Sequence, residues 1–450
     1  MRQQTVCIQG LGFVGAAMAV AVAKARVPTG QPRFNVVGVD LPNPQGRERI
    51  EALNAGRFPF TTVDEQLISA VRDARTAGNL RATSDTLAFG DADIIIIDVN
   101  LDLVDAPAGP SLGLDTLRRA VRDVGSVMKP GTLVIVETTT PPGTTAKIVA
   151  PELEAAMRAR GLAADAFLLA HSYERVMPGA DYFDSIVNYW RVYAGHTPAA
   201  ADAAETFLSA VINVRDFPLT RLASTTASET AKVFENSYRA VNIAFIEEWA
   251  RFAEAVGIDL FSVIDAIRKR PTHSNMRQPG FGVGGYCLTK DPLFAQLAAR
   301  EIWQQDELDF PFCRQAVSLN HAMPLVSLNK LDAQLGGLAG RKILLLGVSY
   351  RQDVGDTRHS PSESFYAEAL ARGAAVTCHD PLVTHWPGLV EDMPRTLPSP
   401  AGFDAVVFAV PHAEYRAIDM PRWLGAARPL VFDANNVLTA PQRAAARAVG

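Results

Sequence analysis

An α/β fold with two doubly wound parallel-sheet domains, joined by a long central helix and a helical segment, is predicted by three features of the sequence. Short continuous apolar runs, of the kind buried on both faces of a parallel sheet, recur in the first and last thirds of the chain and are separated by helical stretches. Between residues 221 and 256 there is neither Gly nor Pro, and Val233, Phe234, Tyr238, Val241, Phe245, Ile246, Trp249 and Phe252 recur at helical spacing. With 450 residues, 48% of them hydrophobic, the chain is too long for one core and too apolar for disorder, so two or three packed domains are expected.

The first strand is expected over residues 5–9, followed by Gly10-Leu11-Gly12-Phe13-Val14-Gly15 and an alanine-rich helix over 16–25. Strand, glycine turn and helix in this order make a dinucleotide-binding unit. Gly10 forms the tight turn, Gly12 lets a pyrophosphate approach the backbone, and Gly15 lets the helix pack on the strand. The helix N-terminus offers N–H donors and a positive dipole end to the phosphates. The next strand, 35–39, ends in Asp40, an acid placed to accept hydrogen bonds from ribose hydroxyls, which favours NAD over NADP.

Further strands are expected at 93–97 and 132–136. The second runs into Glu137-Thr138-Thr139-Thr140-Pro141-Pro142-Gly143-Thr144, a hydroxyl-rich turn at the carboxyl end of a strand, where open α/β sheets bind ligands. Its threonines either position water or the cofactor amide, or cap the next helix. The apolar segment 167–170 leads into His171-Ser172-Tyr173-Glu174-Arg175-Val176-Met177-Pro178-Gly179, which places a second carboxylate, Glu174, at a strand end.

The aromatic content of the long helix predicts burial against a second subunit. Lys232 and Asn236 lie one turn apart on it, either converging on one substrate oxygen or forming a solvated polar stripe. The glycine-dense segment Pro279-Gly280-Phe281-Gly282-Val283-Gly284-Gly285-Tyr286 then delivers Cys287, with Lys290 and Asp291 close behind. Glycines let the backbone approach a ligand, and Lys290 favours the thiolate of a group whose free pKa is about 8.5. Cys287 is therefore either a nucleophile or a buried, inert thiol. The last third restarts as α/β, with strands at 342–346, 375–378, 405–409 and 430–432, a loop over 347–361, and no glycine fingerprint of its own.

Composition excludes several classes. A net charge of -5 with no Lys/Arg block argues against nucleic acid or an anionic membrane as partner. Cys7, Cys287, Cys313 and Cys378 are scattered without paired spacing, so neither a disulfide framework nor a metal site is expected, and reduced thiols in a cytoplasm are. A strand begins within a few residues of Met1, leaving no room for a signal peptide, and no apolar run reaches about 18 residues, so a soluble protein is expected.

Taken in order, residues 10–15, 53–60, 139–143 and 174–179, Lys232 with Asn236, residues 282–291 and 347–361, and His379-Asp380-Pro381 resemble the UDP-glucose/GDP-mannose dehydrogenase family over nearly the whole chain. The resemblance implies an NAD-binding Rossmann-like domain over 1–215, a central helical domain that forms a homodimer or higher oligomer over 216–325, and a second Rossmann-like domain that holds the UDP-sugar over 326–450. It implies NAD-linked oxidation of a sugar C6 alcohol to the carboxylate. Cys287 is the implied nucleophile, with Lys232, Asn236, Asp291, Glu174 and Thr139 as partners. Implied cofactor contacts are Gly10, Gly12, Phe13, Val14, Gly15, Asp40, Thr139, Lys290 and Arg358. Implied substrate contacts are Glu174, Arg175, Lys232, Asn236, Gly284, Tyr350 and Arg351.

The chemistry requires such a set. A first hydride transfer leaves an aldehyde, which a Cys287 thiolate traps as a thiohemiacetal; a second gives a thioester for hydrolysis. Lys232 and Asn236 would stabilise the oxyanion while Asp291, Glu174 and Thr139 handle water. Asp98-Val99-Asn100-Leu101 departs from the family's Val-Pro-Thr-Pro turn, Tyr350-Arg351 from its Phe-Lys, and Asp433-Ala434-Asn435-Asn436 lacks its Arg. Residues 174–179 and 283–285 look like members acting on UDP-N-acetylhexosamines, whereas 285–291 looks like the UDP-glucose branch; the former is favoured. The alternatives are a two-electron hydroxyacid dehydrogenase, which needs no reactive Cys, and a non-catalytic nucleotide-binding protein.

Overall fold

The computed structural model describes residues 3–107, 109–387, 389 and 393–449. The chain divides into two compact units, one holding residues up to 235 together with 294–309, the other holding 236–293 and 310 onward.

In the first unit β1 (Gln4–Gln9) enters the glycine turn and α1 (Phe13–Lys24). There follow β2 (Phe34–Val39), α2 (Pro44–Asn54), α3 (Glu65–Ala77), β3 (Leu80–Thr83), β4 (Ile94–Ile97) and the hairpin of β5 (Asp102–Ala106) and β6 (Gly109–Gly113). Next come α4 (Asp115–Val127), β7 (Leu133–Val136), a π-helical turn (Thr145–Val149) continuing into α5 (Ala150–Ala159), β8 (Leu168–His171), α6 (Asp184–Val187), β9 (Val192–Gly195), α7 (Pro198–Val211) and β10 (Thr220–Arg221). The strands form one sheet in the order β10-β9-β8-β7-β4-β1-β2-β3. From β8 to β3 it is wholly parallel, and its four-residue central strands β4 and β7 are buried throughout, as their unbroken apolar sequence requires. β9 departs from the parallel expectation and runs antiparallel to β8. The order reverses between β1 and β4, the place where such sheets bind ligands.

Alanines and valines let α1 bury both flanks, from Gly15 to Ala23. Gly10 has φ 93°, which favours glycine, and a side chain on Gly15 would clash with the Gly10 carbonyl. The helix and its strand therefore approach only because both positions are bare.

The long helix, α8 (Thr225–Val256), begins four residues later than the sequence pattern suggested, because residues 220–222 extend the sheet: Thr220 N donates to Arg191 O and Leu222 N to Tyr193 O. It runs through both units. In the second unit it is followed by α9 (Leu260–Arg268), α10 (Tyr286–Glu301), α11 (Pro311–Leu335) and a four-stranded sheet. That sheet holds β11 (Lys342–Leu346), β12 (Ala375–His379), β13 (Ala405–Phe408) and β14 (Leu430–Asp433), all parallel in the order β12-β11-β13-β14. Alternation sends Ile343, Leu345 and Val407 into one core with Phe365 of α12 (Pro361–Ala371), and Leu344, Leu346, Val406 and Phe408 into the other with Tyr415 of α13 (Ala413–Arg416) and Leu424 of α14 (Met420–Leu424). The last helix is α15 (Ala440–Val449).

Glu229 of α8 caps the helical stretch that starts after β7. Its buried carboxylate accepts from Gly143 N (2.6 Å), Thr145 N (2.7 Å), Thr145 Oγ1 (2.6 Å) and Thr140 Oγ1 (3.2 Å). Burial outweighs these donors and pushes the carboxyl up to about 7. A folded-state pKa raised above the unfolded value supports the fold at acid pH, and that support is lost as pH rises through about 7. Between pH 5 and 8 the Tm of the wild type should therefore fall more than that of Glu229→Gln, the gap corresponding to roughly 3 kcal/mol at most. Parallel melting profiles would remove Glu229 as the titrating group.

Candidate active site

The turn after β1 is built as a dinucleotide cradle. A side chain on Gly12 would meet nothing within 4 Å, so the turn faces open space, and no side chain caps α1 there. Asp40, at the end of β2, accepts from Leu11 N (3.2 Å) and Leu41 N (2.8 Å), so the acid expected to meet the ribose also pins the glycine turn. Arg49 of α2 pairs with Asp40 at 3.2 Å and lies 5.6 Å over the Phe60 ring, which stacks on Phe13 at 3.9 Å. Val14 is half-buried in the first turn of α1. These residues fit a dinucleotide: bare backbone for the pyrophosphate and a carboxylate for the ribose.

Thr139 is half-buried in the turn after β7. The capping role open to the threonines falls to Glu229 instead, with Thr140 and Thr145 as its hydroxyl donors. Beside this turn Trp303 donates to Pro142 O (2.8 Å), and Lys147 sits 4.0 Å over its ring.

Glu174 and Lys232 meet. Lys232 Nζ donates to the Glu174 carbonyl at 2.7 Å and lies 3.5 Å from its carboxylate, whose other oxygen accepts from Val176 N. Lys232 is 5% exposed and Asn236 1%, so the solvated-stripe alternative fails for both. His171 is held neutral, its pKa driven down to about 3 by burial and then by the Lys232 charge. Arg175 turns to Glu235, which it grips through Nε (3.1 Å) and Nη2 (2.9 Å), and to Trp190 O (2.7 Å).

In the second unit Asn236 Nδ2 donates to Asp291 Oδ2 (2.9 Å), and Lys290 lies 3.1 Å from Asp291 Oδ1. Cys287 is exposed in the first turn of α10, not buried, which removes the inert-thiol alternative. A side chain on Gly284 would strike the His359 carbonyl and Tyr350, and the Tyr350 ring covers Gly285, whose N donates to Arg358 O (2.9 Å). Burial raises Tyr350 to about 12. Arg358 forks onto Asp356 and stacks 4.6 Å over Tyr286; Arg351 is exposed. Sequence patterns did not single out Glu229, Glu235 or Arg191, the buried partner of Glu137. None of the three lies in a motif, whereas Glu137 heads the hydroxyl-rich turn and Asp98, beside it, stood out as a departure.

The fold and site define a pyridine-nucleotide dehydrogenase with a second nucleotide-fold domain. Models of the UDP-glucose/GDP-mannose dehydrogenase family match along the chain: its NAD binding domain over residues 4–211, its central domain over 226–322 and its UDP binding domain over 344–440. The chain belongs to this family. It is an oxidoreductase that uses NAD to oxidise a UDP-sugar to the uronic acid. It is 29% identical over 419 residues to UDP-N-acetyl-D-mannosamine dehydrogenase of Methanocaldococcus jannaschii, covering 92% of this chain and 87% of the relative. Among solved structures it resembles UDP-D-ManNAc dehydrogenase from Pyrococcus horikoshii, with TM-score 0.81, 28% identity and 97% of each chain covered. It also resembles a UDP-glucose dehydrogenase from Pyrobaculum islandicum, with TM-score 0.83, 26% identity, and 98% of this chain and 96% of that one covered.

The oxyanion role expected of the buried Lys232 ammonium and the buried Asn236 amide can be tested directly. Lys232→Ala and Asn236→Ala should each lower kcat by about a hundredfold or more, the usual worth of one oxyanion donor. Near-normal kcat in both, with circular dichroism unchanged, would leave them packing roles only.

Proposed function

We propose that the chain performs a four-electron oxidation of C6 of a UDP-N-acetylhexosamine, in preference to UDP-glucose, through a covalent intermediate on Cys287. The observation that carries this reading is the exposure of Cys287 at the start of α10, directly after the glycine segment. Bound NAD supplies the hydride acceptor for each of the two oxidations, held by Gly10, Gly12, Phe13, Val14, Gly15 and Asp40, with Thr139, Lys290 and Arg358 as further contacts. The Cys287 thiolate attacks the aldehyde, keeping it on the enzyme, and after the second oxidation the thioester carbonyl becomes the electrophile. Lys232 and Asn236 donate to the oxyanion of each tetrahedral species. Glu174, Asp291 and Thr139 orient the water that releases the acid, with Asp291 steered by its bond to Asn236. Arg175, Gly284, Tyr350 and Arg351 are the further substrate contacts of this reading. Support for the N-acetylhexosamine comes from residues 174–179 and from relatives named for UDP-N-acetyl-D-mannosamine.

The three-domain division, at 1–215, 216–325 and 326–450, is supported by the three family models. Among the described residues no helix is long and apolar enough to cross a membrane, and none of the four cysteines is in a disulfide, which supports a cytoplasmic setting. A homodimer through α8 is supported by Phe234, Tyr238, Phe245, Trp249 and Phe252, which are 48% to 71% exposed in the single chain; a helix face this apolar needs a cover. In sedimentation, Phe245→Glu with Trp249→Glu should weaken self-association at least about tenfold. A wild type that sediments as a monomer ends this part of the proposal.

The covalent route is tested with Cys287→Ser. The variant should retain the first oxidation but release no free acid, while the wild type forms about two NADH per sugar consumed. One NADH per sugar with an aldehyde product, or a Ser variant with wild-type kcat, would transfer the assignment to a two-electron dehydrogenase. A panel of UDP- and GDP-sugars read by NADH absorbance decides the sugar.

A further inference from the structure

Asp98 follows β4 and Glu137 follows β7. Because Ile97 pairs with Val136 in the parallel register, their side chains leave neighbouring strands side by side, close enough to share a proton. Both residues are buried, and Asp98 Oδ2 and Glu137 Oε2 have no hydrogen-bond donor among the described residues. One cation is supplied locally: buried Arg191, from just before β9, binds Glu137 through Oε1. A further charged group facing Asp98 is Glu174, after β8, and its carboxylate is already matched by Lys232 of α8. Two carboxyls thus face one guanidinium. A second unmatched carboxylate at this depth would be strongly destabilising. A proton on one of them removes the excess charge and turns two orphaned acceptors into a donor and an acceptor.

The pair sits where it touches the cofactor cradle. Asp98 N donates to Gln9 O (2.8 Å), a side chain on Gly10 would collide with the Asp98 carbonyl, and one on Gly15 would come within 3.1 Å of Asp98 Cβ. Asp98 is the wall against which the glycine turn rests.

We propose that Asp98 keeps a proton and donates it to Glu137, and that this Asp98–Glu137–Arg191 bridge is a positioning element that holds the glycine turn in its dinucleotide-binding shape. Burial first, and the Glu137 charge second, raise Asp98 well above the usual carboxylate range. A carboxyl with a raised folded pKa supports the native arrangement at low and neutral pH, and the support is lost as pH rises through that value. Loss of the proton puts a second negative charge beneath the place of an anionic pyrophosphate. NAD affinity should therefore decline at alkaline pH through Asp98, independently of Cys287 and of the covalent route.

Two measurements on the full chain test this. Infrared spectra at pH 7.5 should show a buried protonated carboxylic acid band that moves when the protein is made with carbon-13 aspartate and is absent from Asp98→Asn. No such band in the wild type, or one moved only by labelled glutamate, overturns the proposal, and this needs neither turnover nor a folded variant. In calorimetric NAD titrations the Kd of the wild type should rise between pH 7 and pH 10 by about tenfold more than that of Asp98→Asn, whose amide donates at every pH. Equal pH dependence in the two proteins would leave the proton without a positioning role and overturn that half.

Discussion

A lysine ammonium withdrawn from water organises much of the first unit. Left alone, the charge on Lys232 would be strongly destabilising, so the chain after β8 is folded around it. The Glu174 carbonyl accepts from it, the Glu174 carboxylate balances it, and the Tyr173 ring lies 5.4 Å away. The same charge helps to keep His171 neutral, and Ser228 on the same helix pairs with His171 Nδ1 at 2.8 Å. Glu229, Lys232 and Asn236, at spacings of three and four, lay a polar stripe along the buried side of the first half of α8. Packing alone would have been served by leucines; these polar groups are tolerated because each finds a partner, the Gly143 and Thr145 N–H groups for Glu229, Glu174 for Lys232 and Asp291 for Asn236.

That inversion explains what was legible in the sequence. The strands and the glycine turn were readable because burial on both faces leaves unbroken apolar runs, and because Gly10 and Gly15 stand where no side chain fits. The start of α8 is not legible because residues 220–222 carry no strand signal and join the sheet through backbone bonds from Thr220 and Leu222 to Arg191 and Tyr193. Periodicity on α8 registers hydrophobicity without saying which side faces inward, so Lys232 and Asn236 read equally well as solvent-facing. Arg191 with Glu137, and Glu229 with the turn after β7, join residues far apart in the chain. No local pattern encodes such a meeting. Cys287 was legible from its glycines, but its exposure was not.

The second sheet lacks the glycine fingerprint and reaches similar local geometry by another route. Gly347 follows β11 with φ 102°, and Asp380, after β12, accepts from Val348 N and Ser349 N at 2.9 Å each. In the first sheet Asp40, after β2, holds Leu11 N in the same way. One carboxylate at the end of the neighbouring strand fixes the loop in both cases. Ser349, His412 and Asp380 form a buried set that looks like a hydrolytic triad, but His412 Nδ1 accepts from Asp353 N (2.9 Å). The imidazole proton is thereby placed on Nε2, toward Asp380, so the ring braces the loop rather than serving as a base.

The chain passes between the two units at 235–236, again at 293–294 and again at 309–310, and the first two passages fall inside helices. The returning stretch is not idle: Glu301 accepts from Ser111 Oγ and Leu112 N of the β5–β6 hairpin, and Trp303 closes over Gly143. Modules that travel through evolution as exchangeable parts usually meet at a single exposed linker. Here a cut at either of the first two passages would sever a helix, and a cut before residue 294 would also strip the first unit of its Trp303 cover, so the two nucleotide folds are not separable at one linker.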